Sequence, residues 1–173
     1  MLEPIVETTR RRIADLAVSE LRAQAGDAPP PRPFEFALVG DRLSVIAEFK
    51  RRSPSRGLLV SGVTPEERAR QYEAGGAAAI SVLTEPDHFD GSDDDLRAVK
   101  KATSIPVLRK DFTLDEAQVY QARAIGADAI LLIVAILSDA QLAHLHGLAA
   151  ELDLAVVVEV HTDEEADRAL AVS

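Results

Sequence analysis

Apolar residues from position 43 onward gather into five nearly continuous runs. The runs are Leu43–Phe49, Ala77–Leu83, Ile105–Leu108, Ala127–Val134 and Leu154–Val160. In each run Val, Ile, Leu and Ala follow one another instead of alternating with polar residues. Continuous apolar runs are typical of parallel strands that are covered on both faces. The pattern therefore predicts five parallel strands.

Amphipathic segments with helix-start signals lie between these runs. Thr64 precedes Pro65 and two glutamates, which is an N-cap followed by proline and acids in the first turn. Similar starts occur at Leu114-Asp115, Ser138-Asp139 and Thr162-Asp163, and glycines end the helices at 75–76 and 126. The runs recur about every 25–30 residues, the size of a βα unit. The sequence thus predicts a βα array.

The first forty residues have a different pattern. Ile5, Ile13, Leu16 and Leu21 recur near helical spacing and predict one helix. Gly26 and the prolines at 29–31 should end it, because proline removes a backbone donor and restricts the residue before it. We expect residues 1–40 to form an N-terminal helical extension and 41–173 the main body. Acids and arginines interrupt the apolar pattern at the start, so a signal peptide is not expected.

Polar residues near the strand ends bear on the architecture. Five βα units fit an open doubly wound sheet by count alone, and they also fit part of a (β/α)₈ barrel. Glu48 and Lys50 share one strand face, Lys110 lies on the face of Leu108, and Glu159 follows a run of valines. Charged groups converging from several strand ends favour the barrel. A complete barrel needs about 250 residues, so we expect strands one to five of eight and a truncated chain.

Composition narrows the function. Nineteen Lys and Arg against twenty-nine Asp and Glu give a net charge of −10, which disfavours nucleic acid and anionic membrane surfaces as partners. The chain has no cysteine, so disulfides, thiolate chemistry and cysteine zinc sites are excluded. No uninterrupted apolar run reaches the roughly 18 residues of a membrane span. A cytoplasmic protein is expected.

Three segments carry candidate chemistry, each with a simpler alternative. Glu48 and Lys50 precede a basic loop at 51–57 that could close over an anion, or they form an ordinary solvated pair. Lys110 is a candidate general acid, or a lysine that extends its head group to water. Glu159 among valines is costly to bury unless it is paired or has a task, so a functional role is favoured.

Two other groups of residues give little. His144 and His146 are two apart on a predicted helix and do not share a face, and no metal-ligand spacing appears. The acidic run 90–95 lacks the pattern of a calcium loop. We expect it to be a solvated loop that leads into a helix.

Several motifs together resemble the indole-3-glycerol phosphate synthase family, a (β/α)₈ lyase of tryptophan biosynthesis. They are LEPIVETTRRRIADL at the start, IAEFKRRSPSRG, SVLTEPDHFDGS, PVLRKDF, ADAILLIVAIL and VVVEVHT. Their order covers essentially the whole chain. The resemblance implies ring closure, decarboxylation and dehydration of 1-(2-carboxyphenylamino)-1-deoxyribulose 5-phosphate, a phosphorylated small molecule, without cofactor or metal.

The resemblance also implies residue roles. Lys110 matches the general acid that protonates the ribulose carbonyl oxygen. Lys50 matches a second lysine that contacts anionic groups and acts in the dehydration. Glu159 and Glu48 match carboxylates that position the lysines and the substrate and take part in proton transfer; which one acts as base at which step stays open.

The resemblance further implies a pocket for the anthranilate ring of the substrate. Ser53, Phe112 and Leu131 are expected to line that pocket.

The main alternative to this function is an inactive half-barrel that only binds, or that self-associates through the open edges of strands one and five. A flavodoxin-like signalling receiver has an acidic cluster at the end of its first strand and an aspartate after its third. It is disfavoured because Glu48 and Lys50 occupy the first position and Lys110 the second. Phosphoribosylanthranilate isomerase is disfavoured because its acid–base pair normally uses a cysteine.

Overall fold

The computed structural model describes residues 2–41, 43–55, 57–59 and 62–172. Its first part contains three helices, α1 (Glu3–Ile13), α2 (Val18–Asp27) and α3 (Phe34–Leu38). The prediction of one helix up to Gly26 is wrong, because Ala17 leaves the helical conformation at φ −80° and ψ 88°. The break lets α2 turn so that Val18 and Leu21 join the main core. Tertiary packing overrides the local helical pattern here.

Five strands form the main sheet, and each overlaps one predicted run. Numbered in chain order, the strands of the main sheet are β1 (Ile46–Phe49), β4 (Ala79–Leu83), β5 (Val107–Lys110), β6 (Ala129–Ile133) and β7 (Ala155–Glu159). The two short strands β2 (Arg52–Ser53) and β3 (Gly57–Leu58) form a separate sheet. The third predicted run ends at Leu108, whereas β5 continues to Lys110. The short antiparallel pair β2–β3 lies within the basic loop and was not predicted.

The strand order excludes a doubly wound sheet. The main sheet runs β1-β4-β5-β6-β7, and every neighbouring pair is parallel. Consecutive strands therefore lie side by side in chain order, without the reversal of order that defines a doubly wound fold. This order confirms the predicted partial (β/α)₈ barrel. Within the described residues, β1 and β7 each pair on one side only.

The remaining helices lie between the strands of the main sheet or after the last one, and all except the short helix at 86–89 were predicted. They are α4 (Pro65–Ala74), α5 (Pro86–Phe89), α6 (Asp93–Ala102), α7 (Glu116–Ala124), α8 (Asp139–Glu151) and α9 (Asp163–Leu170). Thr64 and Ser138 form capping boxes with Glu67 and Gln141, and Asp115 caps α7. These caps satisfy backbone N–H groups of the first turn, which confirms the helix starts read from the sequence.

The two faces of the sheet bury different cores. Outward-facing residues such as Ile80, Val107 and Leu132 pack with the helices in the main core. At the amino ends of the strands, Phe34 of α3 packs against inward-facing Ala79, Leu108 and Ala129. At the carboxyl ends, Ile5 of α1 packs against Phe112, Leu131 and Ile133. The N-terminal segment therefore covers both ends of the sheet's concave face.

The acidic run 90–95 is the predicted loop leading into a helix only over residues 90–92, and the rest of the run belongs to the helix itself. Ser92 caps α6, and Asp93 to Asp95 form its first turn, where acids are favourable. Asp95 is buried and accepts two hydrogen bonds from Arg51, at 2.6 and 2.7 Å. These bonds raise the pKa of Arg51. The paired arginine lies 44 residues away in the chain, which is why spacing did not reveal it.

No helix among the residues that the structure describes is long and apolar enough to cross a membrane.

Candidate active site

The carboxyl end of β1 supplies the first charged pair. Glu48 and Lys50 lie on the same face, and the Lys50 Nζ–Glu48 Oε1 distance is 2.5 Å. Both side chains are about one-third exposed, at 33% and 28%. Tyr72 of α4 donates a hydrogen bond to the backbone carbonyl of Glu48 at 2.8 Å, which fixes the strand end against the helix. The pair is thus held at its backbone and open at its charged groups.

The second pair joins the ends of β5 and β7. Lys110 Nζ lies 3.9 Å from Glu159 Oε2, at the outer limit of an ion pair. The other oxygen of Glu159 lies 3.4 Å from His161 Nε2. Lys110 is 34% exposed and Glu159 33% exposed. Neither group is enclosed, so both can still exchange this partner for a substrate group.

These four side chains line one cavity. The cavity has a volume of about 320 Å³, and its remaining lining is mostly apolar. Its lining residues are Leu2, Glu48, Lys50, Leu83, Phe89, Lys110, Asp111, Phe112, Leu131, Ile133 and Glu159. A pocket with apolar walls and a few converging charged groups is the usual form of a small-molecule site. The structure therefore brings together all four predicted catalytic residues, with Phe112 and Leu131 of the predicted pocket.

Ser53 is not among the residues that line this cavity. It lies in β2, is buried, and pairs in register with Gly57. Its expected contact with the anthranilate ring stays a prediction. Arg56, in the basic loop at 51–57, lies outside the described residues.

Five lining residues were not identified from the sequence. Leu83 and Ile133 could have been found, because each ends a strand on its inward face, two residues beyond Ser81 and Leu131. Phe89 packs its ring 6.2 Å from that of Phe112, and only the folded α5 brings them together. Leu2 and Asp111 likewise depend on contacts far apart in the chain.

Fold and site together define the class of protein. Charged groups at the carboxyl ends of successive parallel strands, over an apolar pocket, are the arrangement that enzymes of the (β/α)₈-barrel fold have at their active-site end. The indole-3-glycerol phosphate synthase family model matches residues 2–173. The chain belongs to that family.

Curated relatives agree with the family model. An indole-3-glycerol phosphate synthase of Arthrobacter sp. (strain FB24) is 53% identical over 167 residues, which cover 94% of this chain and 61% of the relative. The protein of the same name from Mycolicibacterium vanbaalenii is 52% identical over 98% of this chain and 64% of its own length. The protein of the same name from Nocardioides sp. is 51% identical over 99% of this chain and 67% of its own length. The chain spans about three-fifths to two-thirds of these relatives.

Proposed function

We propose that this chain carries the catalytic lysines and carboxylates of an indole-3-glycerol phosphate synthase. The substrate would be 1-(2-carboxyphenylamino)-1-deoxyribulose 5-phosphate, and the products indole glycerol phosphate, carbon dioxide and water. The observation that carries the proposal is the cavity in which Lys50, Lys110, Glu48 and Glu159 meet beside apolar walls. Family membership adds the identity of the substrate.

The cavity suits the ring-closing step. The aromatic ring of the substrate would lie against Phe112 and Leu131, which are on the apolar side of the cavity. As the ring carbon attacks the ribulose carbonyl carbon, negative charge develops on the carbonyl oxygen. Lys110 would donate its proton to that oxygen, because a positioned ammonium stabilises the developing charge. Glu159, 3.9 Å away, would hold the lysine in place.

The later steps use the other pair. Loss of carbon dioxide breaks the bond between the ring carbon and the carboxylate. The electrons of that bond stay with the ring and restore its conjugation. Dehydration then needs a proton for the departing hydroxyl and a base for the proton that is lost. Lys50 would donate the proton to the departing hydroxyl. A carboxylate, Glu48 or Glu159, would accept the proton that is lost. Holding the groups in one cavity replaces encounters in solution with fixed positions. A cytoplasmic location and a reaction without metal or cofactor belong to the same proposal.

A second property, self-association, has its own observation. Leu43, before the edge strand β1, is 93% exposed, and Ile46 and Val160 at the two edges are each 39% exposed. Apolar side chains beside unpaired strand edges favour pairing with another chain. Self-association and catalysis are compatible, and family membership favours catalysis over an inactive binding fragment. Sedimentation velocity across a hundredfold range of concentration would detect the association.

The test of the proposed activity is a fluorescence assay for indole glycerol phosphate formed by this 173-residue chain, with Lys110→Met assayed beside it. Where the chain forms product, we expect Lys110→Met to abolish it. Turnover that is equal in the two proteins would contradict the role of Lys110. No turnover by a folded chain would contradict catalysis by these residues in this chain and would favour the alternative of an inactive half-barrel that binds or self-associates.

A further inference from the structure

Asp111 occupies an unusual position between two site residues. Its neighbours Lys110 and Phe112 line the cavity on either side, while its own side chain is only 1% exposed. Oδ1 accepts hydrogen bonds from Arg12 Nη2 and from the Phe112 N–H, both at 2.8 Å. Oδ2 accepts a hydrogen bond from the Thr84 hydroxyl at 2.8 Å. One carboxylate thus connects helix α1, the end of β4 and the segment that carries Lys110.

This carboxylate keeps its charge despite its burial. Burial by itself would raise the pKa of Asp111, but the guanidinium groups of Arg109 and Arg12 and the bonds from Arg12 and Thr84 hold it below its usual value. Arg109 Nη2 lies 3.5 Å from Oδ2 and also donates to Asp93 and Gln121, while Arg109 Nε donates to the Thr84 hydroxyl. Arg109 is therefore shared among several partners. Arg12 is bound to Asp111 at the shorter distance, so its removal would leave a buried carboxylate under-compensated.

Arg12 belongs to the helix that covers the cavity. Leu2, Ile5 and Arg12 recur at spacings of three and seven residues, which places them along one side of α1. Leu2 lines the cavity, and Ile5 packs against Phe112 and Leu131. The helix is therefore held over the site by apolar contacts at its start and by an ion pair at its end.

We propose that Arg12 and Asp111 clamp helix α1 across the mouth of the site and hold the segment Lys110–Phe112 in its working geometry. Both are positioning residues, since the carboxylate acts on the site through the backbone of Phe112 and the adjoining lysine. This inference rests on the proposed function where it concerns catalysis. The clamp itself is a property of the folded chain and can be measured without turnover.

Amide hydrogen exchange followed by mass spectrometry tests the clamp. The variants are Arg12→Met, Asp111→Asn and the double variant, with Arg11→Met as the matched control. Arg11 is one residue away, is 76% exposed and pairs with Glu7 of its own helix. In Arg12→Met we expect exchange in α1 and in residues 110–113 to accelerate about tenfold, the effect of losing a charged hydrogen bond. Exchange in β6 should stay unchanged, and so should every segment in Arg11→Met.

The double variant separates a clamp from two independent effects. If Arg12 and Asp111 act through each other, the double variant should accelerate exchange no more than the larger single change. Additive effects would overturn the pairing. Equal acceleration in β6 would mean general destabilisation and would overturn the positioning role. No acceleration in Arg12→Met would overturn the clamp.

Turnover measurements address the catalytic part separately. Where the unchanged chain forms product, we expect Arg12→Met to lower kcat about tenfold with a smaller change in KM, because misplacing a catalytic group affects the transition state most. Arg12→Lys should restore part of kcat, since a lysine can keep the charge. Unchanged kcat in Arg12→Met would overturn the positioning role. If neither the unchanged chain nor any variant forms product, the proposed function is contradicted. The hydrogen-exchange data still test the clamp in that case.

Discussion

Carboxylate–ammonium pairs occur at both ends of the partial barrel, and they are built differently. At the carboxyl ends, Lys110 and Glu159 are each about one-third exposed and 3.9 Å apart. At the amino ends, Asp128 before β6 is fully buried and bonded to Lys100 of α6. Its second oxygen accepts a hydrogen bond from the Val107 N–H at 2.8 Å.

The amino-end pair belongs to a larger set of contacts with the proline-rich segment. The backbone N–H of Arg32 also binds Asp128, and the Arg32 guanidinium donates to carbonyls of Lys100 and Ile105. Arg123 of α7 donates to the carbonyls of Ala28 and Pro29. These bonds fasten residues 28–32 beneath the barrel.

The contrast explains how similar groups serve different purposes. A buried carboxylate with every partner in place stabilises the fold and has no capacity left for a ligand. A loosely paired carboxylate at the open end contributes little stability and remains available to a substrate. In barrels of this kind the carboxyl ends carry the chemistry and the amino ends carry stability.

The largest expected effect is that of Lys110→Met. Loss of the proposed general acid should lower turnover about 10³-fold, within the usual range for such groups. Substrate affinity should change little, because the other lining groups remain. Lys101→Met, at the exposed end of α6, is the matched control and should keep full turnover. Steady-state rates and a fluorescence titration with substrate measure both quantities, and near-normal turnover in Lys110→Met would refute its assignment.

The next effect concerns the amino end. Asp128→Asn should lower the free energy of unfolding by about 3 kcal/mol, because it leaves the partly buried Lys100 without its counter-charge and removes a fully buried carboxylate from its partners. Burial already lowers the pKa of Lys100, although Asp128 opposes that shift. The same substitution at the other end, Glu159→Gln, should cost less than about 1 kcal/mol. Urea unfolding measures both, and equal losses would erase the contrast between the ends.

The smallest effect is on pH dependence. Asp111 is a buried carboxylate at the carboxyl ends of the strands, with a pKa held below its ordinary value of 3.8. Its contribution to stability is therefore complete above about pH 4 and is lost as the pH falls toward its lower folded-state pKa. The free energy of unfolding of the unchanged chain should fall more steeply below about pH 4 than that of Asp111→Asn. Parallel slopes in acid would contradict this.

Local pattern was enough to predict the strands and the helix caps. The apolar runs and N-cap residues act over a few neighbouring positions, so both could be read from the chain. The third apolar run stops at Leu108 because Arg109 and Lys110 are charged, and the strand continues to Lys110 with Arg109 buried among polar partners.

Long-range pairs could not be predicted in the same way. Arg12 and Asp111 are 99 residues apart, and Arg32 and Asp128 are 96 apart. Nothing in the sequence near either member indicates the other. Strand-end position indicated the four charged site residues and the resemblance added their roles, whereas the clamp over the site and the amino-end contacts required the fold.

The four lysines of the chain allow a direct test of the contrast between the two ends. Lys50 and Lys110 line the cavity, and Lys100 and Lys101 end α6 at the opposite side. Trace acylation of amines, with and without substrate, would be quantified at each lysine by mass spectrometry. We predict that substrate protects Lys50 and Lys110 several-fold and leaves Lys101 unchanged. Equal labelling of all lysines with and without substrate would contradict the assignment of the carboxyl end as the active site.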